Sequence, residues 1–503
     1  MQTHWRLTKN ALANLSRGGA AGLAALLLPA FLVRYMSQPE YAVWVLVLQI
    51  AAYASYLNFG LQTAVGRYVA FANEKKDAKQ RDSIFSAAIL GLSIAGAVAL
   101  CTLSAIAFAA YRIFPKVPIG LIAQMKLALI IVSTSFALGL PASAWEGLFI
   151  GLQRYEIPAI VTGTAKLVSA LGLIAAAVTG HSIVAMAIIL ATVNILSYAA
   201  EYVLARNLAP EVRFQKNLIQ RSTMRELSGY CFSLSIWSFS TMLVTGLDLV
   251  LVGRFDFGAL AAYGIAASLV TFVAGSQGAI FGAIMPQAAV VHARQDSAQL
   301  GRMVLTTTRL GVLLLLLTGM PLLIYAMPLM RLWVGAAYAA QGYRLLTVLL
   351  IANMVRLIGV PYAVVLIGTG QQRQVLVSPL AEGLTNLVSS ILLGYCYGAI
   401  GVAIGTLIGA FVSIAVHLLY SMPRTHDAIG FTRYKFVLSG VLMPLLWTVP
   451  LVVIAVCSVA GLTISPAITI GGFLLAVAGA VVVLHRSGIR RSMLNRLPET
   501  KPC

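Results

Sequence analysis

Apolar runs of about twenty residues recur from Gly18 to Leu484, each closed by a short polar or charged loop. The runs lie near 18–36, 41–66, 84–110, 125–149, 158–179, 183–205, 228–253, 259–283, 303–330, 344–368, 375–397, 400–421, 436–458 and 466–485. Each is long enough to cross a hydrocarbon core of about 30 Å as a helix rising 1.5 Å per residue. The pattern predicts an all-α integral membrane protein with about fourteen transmembrane helices. Its least distinct stretch is 258–291, where Pro286, Gln277 and Gln287 interrupt the apolar run.

Composition strengthens this reading. Of 503 residues, 60% are hydrophobic and 10% charged, against about 45–50% and about 25% in a soluble domain. A chain with so little polar surface must place apolar surface in lipid. The N-terminal stretch with Arg6, Lys9 and Arg17 resembles a secretory leader, but the run continues through Pro29 and Arg34 without a small-residue cleavage site, so a retained first helix is expected. The cysteines Cys101, Cys231, Cys396, Cys457 and Cys503 lack metal-ligand or disulfide spacing and are expected to act as small core residues.

The formal charge of +20 raises the question of nucleic acid, and its distribution answers it. The basic residues lie between apolar runs, with no basic domain and no aromatic-basic platform, so no nucleic-acid partner is expected. With the N-terminus inside, the cytoplasmic segments hold Arg6, Lys9, Arg17, Arg67, Lys75, Lys76, Lys79, Arg81, Arg154, Arg206, Arg213, Lys216, Arg221 and Arg225. They continue with Arg294, Arg302, Arg309, Arg373, Arg424, Arg433, Lys435, Arg486, Arg490, Arg491, Arg496 and Lys501, making 26 of 35 basic residues. The other side receives seven: Arg34, Arg112, Lys116, Lys126, Arg254, Arg331 and Arg344. The positive-inside rule therefore places both termini in the cytoplasm.

The chain also repeats itself. An offset of 220 relates Arg34 to Arg254, Gly139-Leu-Pro141 to Gly359-Val-Pro361, and Lys166-Leu-Val-Ser169 to Asn386-Leu-Val-Ser389. Gly151-Leu-Gln-Arg154 matches Gly370-Gln-Gln-Arg373 with one residue of slip. Two parallel six-helix lobes are expected, with a site between them: an N-terminal lobe over 1–205, a cytoplasmic linker over 206–226 and a C-terminal lobe over 227–421. Two additional transmembrane helices follow over 422–485, then a basic cytoplasmic tail over 486–503.

No hydrolase, transferase, nucleotide-binding or metal motif stands out, so no enzyme activity, cofactor or metal is expected. The informative residues are the ionisable groups inside the spans, because charge in lipid is costly and faces a partner or an aqueous cavity. Lys166 lies roughly 12 Å into its helix and Arg356 roughly 18 Å into its own. A cavity-facing role and an ion pair with Glu382 or Glu146 are the two readings for these cations. Arg34 and Arg254 are candidates for binding an anion or for snorkelling to the interface. Asp248 and Glu382 are candidates for ion coupling or for charge pairing. Tyr53, Tyr56 and Phe59 share a spacing of three, and Trp237 sits on span seven. These rings suit sugar stacking, or the aromatic core and belts common to membrane helices.

The segment Pro29-Ala-Phe-Leu-Val-Arg34-Tyr-Met-Ser-Gln-Pro-Glu-Tyr41 resembles Wzx-type polysaccharide repeat-unit flippases. So do Asn58-Phe-Gly60 with Arg67, Gly147-Leu-Phe-Ile-Gly-Leu-Gln-Arg154-Tyr155, and Asp248-Leu-Val-Leu-Val-Gly253 leading to Ala262-Tyr-Gly-Ile-Ala266. Gly370-Gln-Gln-Arg373, Asn386 and Gly398-Ala-Ile-Gly401-Val-Ala-Ile-Gly405-Thr406 extend the likeness, which spans about residues 10–420. The wider group is the superfamily of multidrug, oligosaccharidyl-lipid and polysaccharide exporters.

The resemblance implies two six-helix lobes around a cavity and alternating access. It further implies carriage of an undecaprenyl-pyrophosphate-linked oligosaccharide of O-antigen, capsule or exopolysaccharide across the bacterial inner membrane. On this basis Arg34, Lys166, Arg254 and Arg356 are expected to contact pyrophosphate or acidic sugars, and the last two spans to receive the polyprenyl chain. Only Arg34 and Arg254 lie on family-like motifs; the other two follow from burial. Membrane lipids, a polysaccharide polymerase and a chain-length regulator are the implied partners. A lipid II flippase, a cation-coupled multidrug exporter and a non-transporting membrane scaffold of polysaccharide assembly are the alternatives. A drug exporter would favour acidic residues in its first-lobe cavity, and spans one to three have none well inside the membrane.

Overall fold

The computed structural model describes Gly22 and residues 26–219, 221–282, 284–462 and 464–486. Among these residues the regular structure is helical, without strands. Ten helical stretches are long and apolar enough to cross a membrane, and an eleventh is added if Arg433–Trp447 and Val449–Val459, bent by 74°, form one span. The expected count of fourteen differs for identifiable reasons. Span one begins in residues outside the described set, with Leu26–Tyr35 its described part. Pro466–Val481 is short, and Arg373–Ile429 runs as one stretch. That long stretch turns at Gly398, where φ is 62° and ψ −140°. This is a conformation only glycine adopts freely, and it lets the chain fold back on itself. The chain is a multi-pass membrane protein.

The helices of the first half are α1 (Leu26–Tyr35), α2 (Gln38–Tyr56), α3 (Leu61–Glu74), α4 (Ala78–Phe108), α5 (Ile119–Gly151), α6 (Glu156–Val178) and α7 (Ile183–Leu208). Those of the second half are α8 (Arg221–Thr241), one wide π-turn (Met242–Gly246), α9 (Asp248–Phe255), α10 (Phe257–Gly282), α11 (Met285–Ala293), α12 (Ser297–Ile324), α13 (Ala326–Val334), α14 (Ala336–Leu357), α15 (Val360–Gly368) and α16 (Gln372–Val416). In the first half α5 packs along α4 and α7; in the second α14 packs along α10 and α16.

The repeat is visible in backbone and packing. Lys76 and Gln295 both take positive φ, and the next residue, Asp77 or Asp296, caps the following helix by accepting from the amide of Gln80 or Gln299. Gln153 and Gly370 end matching helices with positive φ, as Gly180 and Gly398 do at the next turn. Gly139 packs against the ring of Tyr198, and Gly359 against the ring of His417. These pairs set offsets of 217 to 220. Arg34 and Arg254 keep the offset of 220, each next to last in its helix. Around Lys166 the flanking turns set 217 and 218, so the sequence match of Lys166 to Asn386 is out of structural register. Turns of unequal length shift the register between helices while leaving the helices equivalent.

The halves meet along α2. Val43, Leu46, Val47 and Ile50 join one buried cluster with Val252, Leu260, Ala261 and Tyr263 of the second half. Small residues allow the approach: a side chain at Gly253 would meet Leu46, and one at Gly264 would meet Val45. A smaller cluster, Ala64, Ile84 and Ala87 with Leu227 and Cys231, joins the halves at the opposite end. There the connection between α7 and α8 is docked on α4: Ser83 Oγ donates to the Leu218 carbonyl at 2.7 Å, and the Gln215 amide donates to Ser86 Oγ at 2.9 Å. The cysteines depart in part from the core role expected of them. Cys231 is buried, whereas Cys101 and Cys396 are exposed on faces that also carry exposed aliphatic or aromatic side chains.

Candidate functional site

Four polar arrangements lie on or beside the joint between the halves. The first closes one end of it. Arg254, at the end of α9, donates from Nη1 to the carbonyl of Ile113 at 2.7 Å and of Arg112 at 3.4 Å, both in the first half. Lys116 returns the contact by donating to the Phe255 carbonyl. Gln38 Nε2, at the start of α2, donates to the Gly258 carbonyl at 2.8 Å and to Gln341 Oε1 at 3.0 Å. A cavity of about 500 Å³ lined by Gln38, Pro118, Asp256 and Gln341 sits at this end.

The second arrangement is the π-turn of Met242–Gly246. A wider turn breaks the regular i to i+4 ladder and leaves carbonyls in need of donors. Asn386 Nδ2 donates to the carbonyls of Leu243 at 3.3 Å and Val244 at 3.1 Å. The carbonyl of Gly246 is taken by the first half: Tyr53 OH donates to it at 2.6 Å and Gln49 Nε2 at 2.8 Å. The rings of Tyr53 and Tyr56 both lie against Gly246. The same carbonyl-rich turn is therefore gripped by both halves.

The third arrangement surrounds Asp248, which is buried one residue beyond Leu247. Its Oδ2 accepts from Thr406 Oγ1 at 3.0 Å and Tyr263 OH at 3.3 Å, and its Oδ1 accepts from Asn386 Nδ2 at 3.3 Å. Ser390 Oγ donates to Asn386 Oδ1 at 2.9 Å, and both Ser390 and Thr406 reach the Val402 carbonyl. Donors from α10 and from both arms of α16 thus gather about one carboxylate of α9. Among the described residues no cluster of three His, Cys, Asp or Glu side chains is suited to a metal ion.

The fourth is the ion pair of Arg356 Nε with Glu382 Oε1. Glu382 is almost fully buried, and Arg356 Nη2 is buried without a hydrogen-bond partner. Glu382 and Asn386 are one turn apart on α16, so they share a face and connect this pair to the Asp248 group.

The structure thus brings together Asp248, Asn386, Glu382, Arg356 and, through Gly246, Tyr53 and Tyr56. It does not bring Arg34, Lys166 or Arg254 into that group by any contact described above. Lys166 is on an exposed face of α6 beside exposed Leu167 and Val168. Arg34 is exposed and lines an apolar pocket with Leu26, Phe31, Leu269, Phe272 and Trp333. The side chain of Trp237 lies outside the described residues. Sequence reasoning did not single out Gln49, Gly246, Tyr263, Asn386 as a ligand of Asp248, or Thr406. Three of these, Tyr263, Asn386 and Thr406, stand in the motif segments that carry the family resemblance, which was the available signal.

Several solved structures share this fold. A lipid II flippase, MurJ, in an inward closed conformation superposes with a TM-score of 0.72 at 14% identity, covering 96% of this chain and 100% of that one. A multidrug resistance MATE family transporter of the MOP superfamily, in an inward-facing conformation, gives 0.66 at 14% identity over 83% and 98% of the two chains. A MOP superfamily transporter from Pyrococcus furiosus gives 0.57 at 11% identity over 84% and 96%. No curated protein sequence matches this one. The sequence profile of the polysaccharide biosynthesis protein family matches residues 7–292, more than half of the chain, and the chain belongs to that family.

Proposed function

We propose that this protein is a flippase that moves an undecaprenyl-pyrophosphate-linked oligosaccharide repeat unit across the bacterial inner membrane by alternating access. Membership of the polysaccharide biosynthesis family and a fold shared with lipid II and multidrug transporters support the class. The observation that carries the mechanism is the joint itself. Two repeated halves, divided near 206–226, meet along the apolar seam of α2, with a short polar lock at the Arg254 end and a grip on the Gly246 carbonyl. Both are made of a few hydrogen bonds, each worth about 1–3 kcal/mol net, so the lock can break and re-form as the halves rock.

The positive-inside reading makes the Arg254 end periplasmic, with both termini cytoplasmic. In this reading Arg356, beside the joint, and Lys166, on α6, attract the pyrophosphate or acidic sugars. Arg254 joins them when the periplasmic end opens and its two carbonyl partners in the first half move away. Guanidinium forks suit phosphate oxygens. Glu382 competes with the substrate for Arg356. Neutralising Glu382 or Asp248 by a proton or a monovalent cation would therefore free Arg356 for the anion, which couples ion binding in the second half to substrate binding. Tyr56 and Trp237 are proposed sugar contacts, and Tyr53 contributes its ring while its hydroxyl holds Gly246. An anion leaving an inside-negative cell gains about 2.3 kcal/mol per charge per 100 mV if it crosses the full field. The last two helices are assigned to the polyprenyl chain, and a polymerase and chain-length regulator to the next steps of assembly. A lipid II flippase is the second reading, favoured by the likeness over the full length of that fold.

Deletion of the gene tests this. Lipid-linked glycan is expected to accumulate on the cytoplasmic leaflet, with export restored by the wild type and not by a stably expressed Lys166→Ala, Arg356→Met and Glu382→Met triple variant, which leaves no buried charge unpaired. Full export by that variant would remove the proposed site. Normal glycan export with new drug sensitivity would point to a multidrug exporter instead.

A further inference from the structure

Arg34 differs from Arg254 and Lys116 at the same end of the molecule. Arg254 and Lys116 are satisfied by carbonyls across the joint, and Arg356 deeper in the second half is paired with Glu382. Among the described residues Arg34 has neither an ion pair nor a hydrogen bond to its guanidinium. It stands instead in the wall of a cavity of about 540 Å³ between α1 and the second-half helices α10, α12 and α13. The rest of that wall is aliphatic and aromatic. Leu27, Phe31 and Leu332 are among its exposed members, so the cavity opens sideways toward lipid. Its rear is fixed, because Trp333 Nε1 donates to the Leu26 carbonyl at 3.0 Å and ties α13 to α1. The volume is that of a small-molecule site.

An apolar recess open to the bilayer fills with hydrocarbon. A guanidinium at the mouth of such a recess, without a partner among the described residues, suits an anion whose apolar part enters the recess. A phosphodiester joined to an acyl chain meets both requirements at once: the planar guanidinium takes two phosphate oxygens and the chain fills the recess. We propose that this cavity binds one anionic phospholipid of the surrounding membrane, with its phosphate on Arg34 and an acyl chain against Phe31, Phe272 and Trp333. The lipid then sits between α1 of the first half and three helices of the second. It does not depend on what the protein transports.

The test uses the intact protein, purified in detergent, with no transport step. Native mass spectrometry after titration with phosphatidylglycerol or phosphatidylcholine of the same chains is expected to show one retained phosphatidylglycerol, preferred by about tenfold, the scale of one charge-assisted contact. Arg34→Gln should bring the two lipids to parity, and Arg34→Lys should keep a reduced preference. Ala30→Trp, which fills the recess, should lose both lipids. Monodispersity on size exclusion checks that the variants are folded. Independently of any variant, phosphatidylglycerol with a photoreactive acyl chain should label the wild type within 269–273 and 322–333. An unchanged preference in Arg34→Gln, or labelling elsewhere, would overturn the site and leave Arg34 as a snorkelling side chain. Displacement of the phospholipid by undecaprenyl phosphate at lower concentration, with the same peptides labelled, would overturn the assignment to bulk lipid and give the recess to a substrate tail.

Discussion

Tyr53 in the first half donates its hydroxyl to the carbonyl of Gly246 in the second, at 2.6 Å, across the joint on which the two halves would rock. The same carbonyl accepts from Gln49, while Asn386 holds the two carbonyls at the other side of that π-turn. Tyr53→Phe removes one of these bonds and keeps the ring. It is expected to change the rate of substrate movement by about fivefold, the scale of one net hydrogen bond of about 1 kcal/mol, without lowering the yield of folded protein. Tyr56→Phe, on the other ring flanking Gly246, should leave the rate unchanged. Rates measured on both variants in vesicles check the difference.

Glu382 is the nearest neutraliser of Arg356. Glu382→Ala strands a half-buried guanidinium whose Nη2 already has no partner, and removing one member of such a pair costs about 3–5 kcal/mol. A clear drop in thermal unfolding temperature in detergent is expected, with most of it recovered in the Arg356→Met and Glu382→Met double variant. Equal stability of wild type and Glu382→Ala would show that the pair is not needed to hold α14 against α16.

Asp248 gathers three donors, one from α10 and one from each arm of α16. Asp248→Ala leaves Tyr263, Asn386 and Thr406 without their acceptor, at about 1–3 kcal/mol for each buried group left unsatisfied. It should reduce folded yield. Asp248→Asn retains the shape and removes the charge, so it is expected to fold and to lose any dependence of transport on sodium or proton gradients. Flux measured in vesicles with each gradient collapsed in turn distinguishes the two effects.

The polar lock at the Arg254 end is expected to open in every transport cycle. In a cysteine-free background, Gln38→Cys with Gln341→Cys joined by a short thiol-reactive linker should arrest transport by more than about tenfold, since rocking about a joined interface is blocked. Cleaving the linker should restore it. Transport that continues with the linker intact would mean that this end stays closed.

The membrane class and the repeat, with Arg34 and Arg254 at equivalent helix ends, were legible because hydropathy and charge are local properties of sequence. Arg356 and Glu382 were also visible as buried charges, and their pairing was one of the readings open at that level. The π-turn was not legible. Its carbonyls are satisfied by Asn386, about 140 residues away, and by Gln49 and Tyr53 in the other half, and nothing in Met242–Gly246 itself signals the wider turn. The spacing of Tyr53 and Tyr56 suited sugar stacking because a ring shows in sequence and the acceptor of its hydroxyl does not. The repeat register drifted near Lys166 because turn lengths differ between the halves, which residue matching at one fixed offset cannot detect.

Movement of the lipid-linked glycan should require this chain alone. Purified protein reconstituted into sealed vesicles with a fluorescent undecaprenyl-pyrophosphate oligosaccharide tests it, with an impermeant reagent that destroys the sugar on the outer leaflet reporting how much remains protected. Added protein is expected to make nearly all of the lipid accessible, and the Lys166→Ala, Arg356→Met and Glu382→Met triple variant, which strands no buried charge, is expected to leave about half protected, as in protein-free vesicles. Wild-type vesicles that protect as much of the lipid as protein-free ones would contradict it.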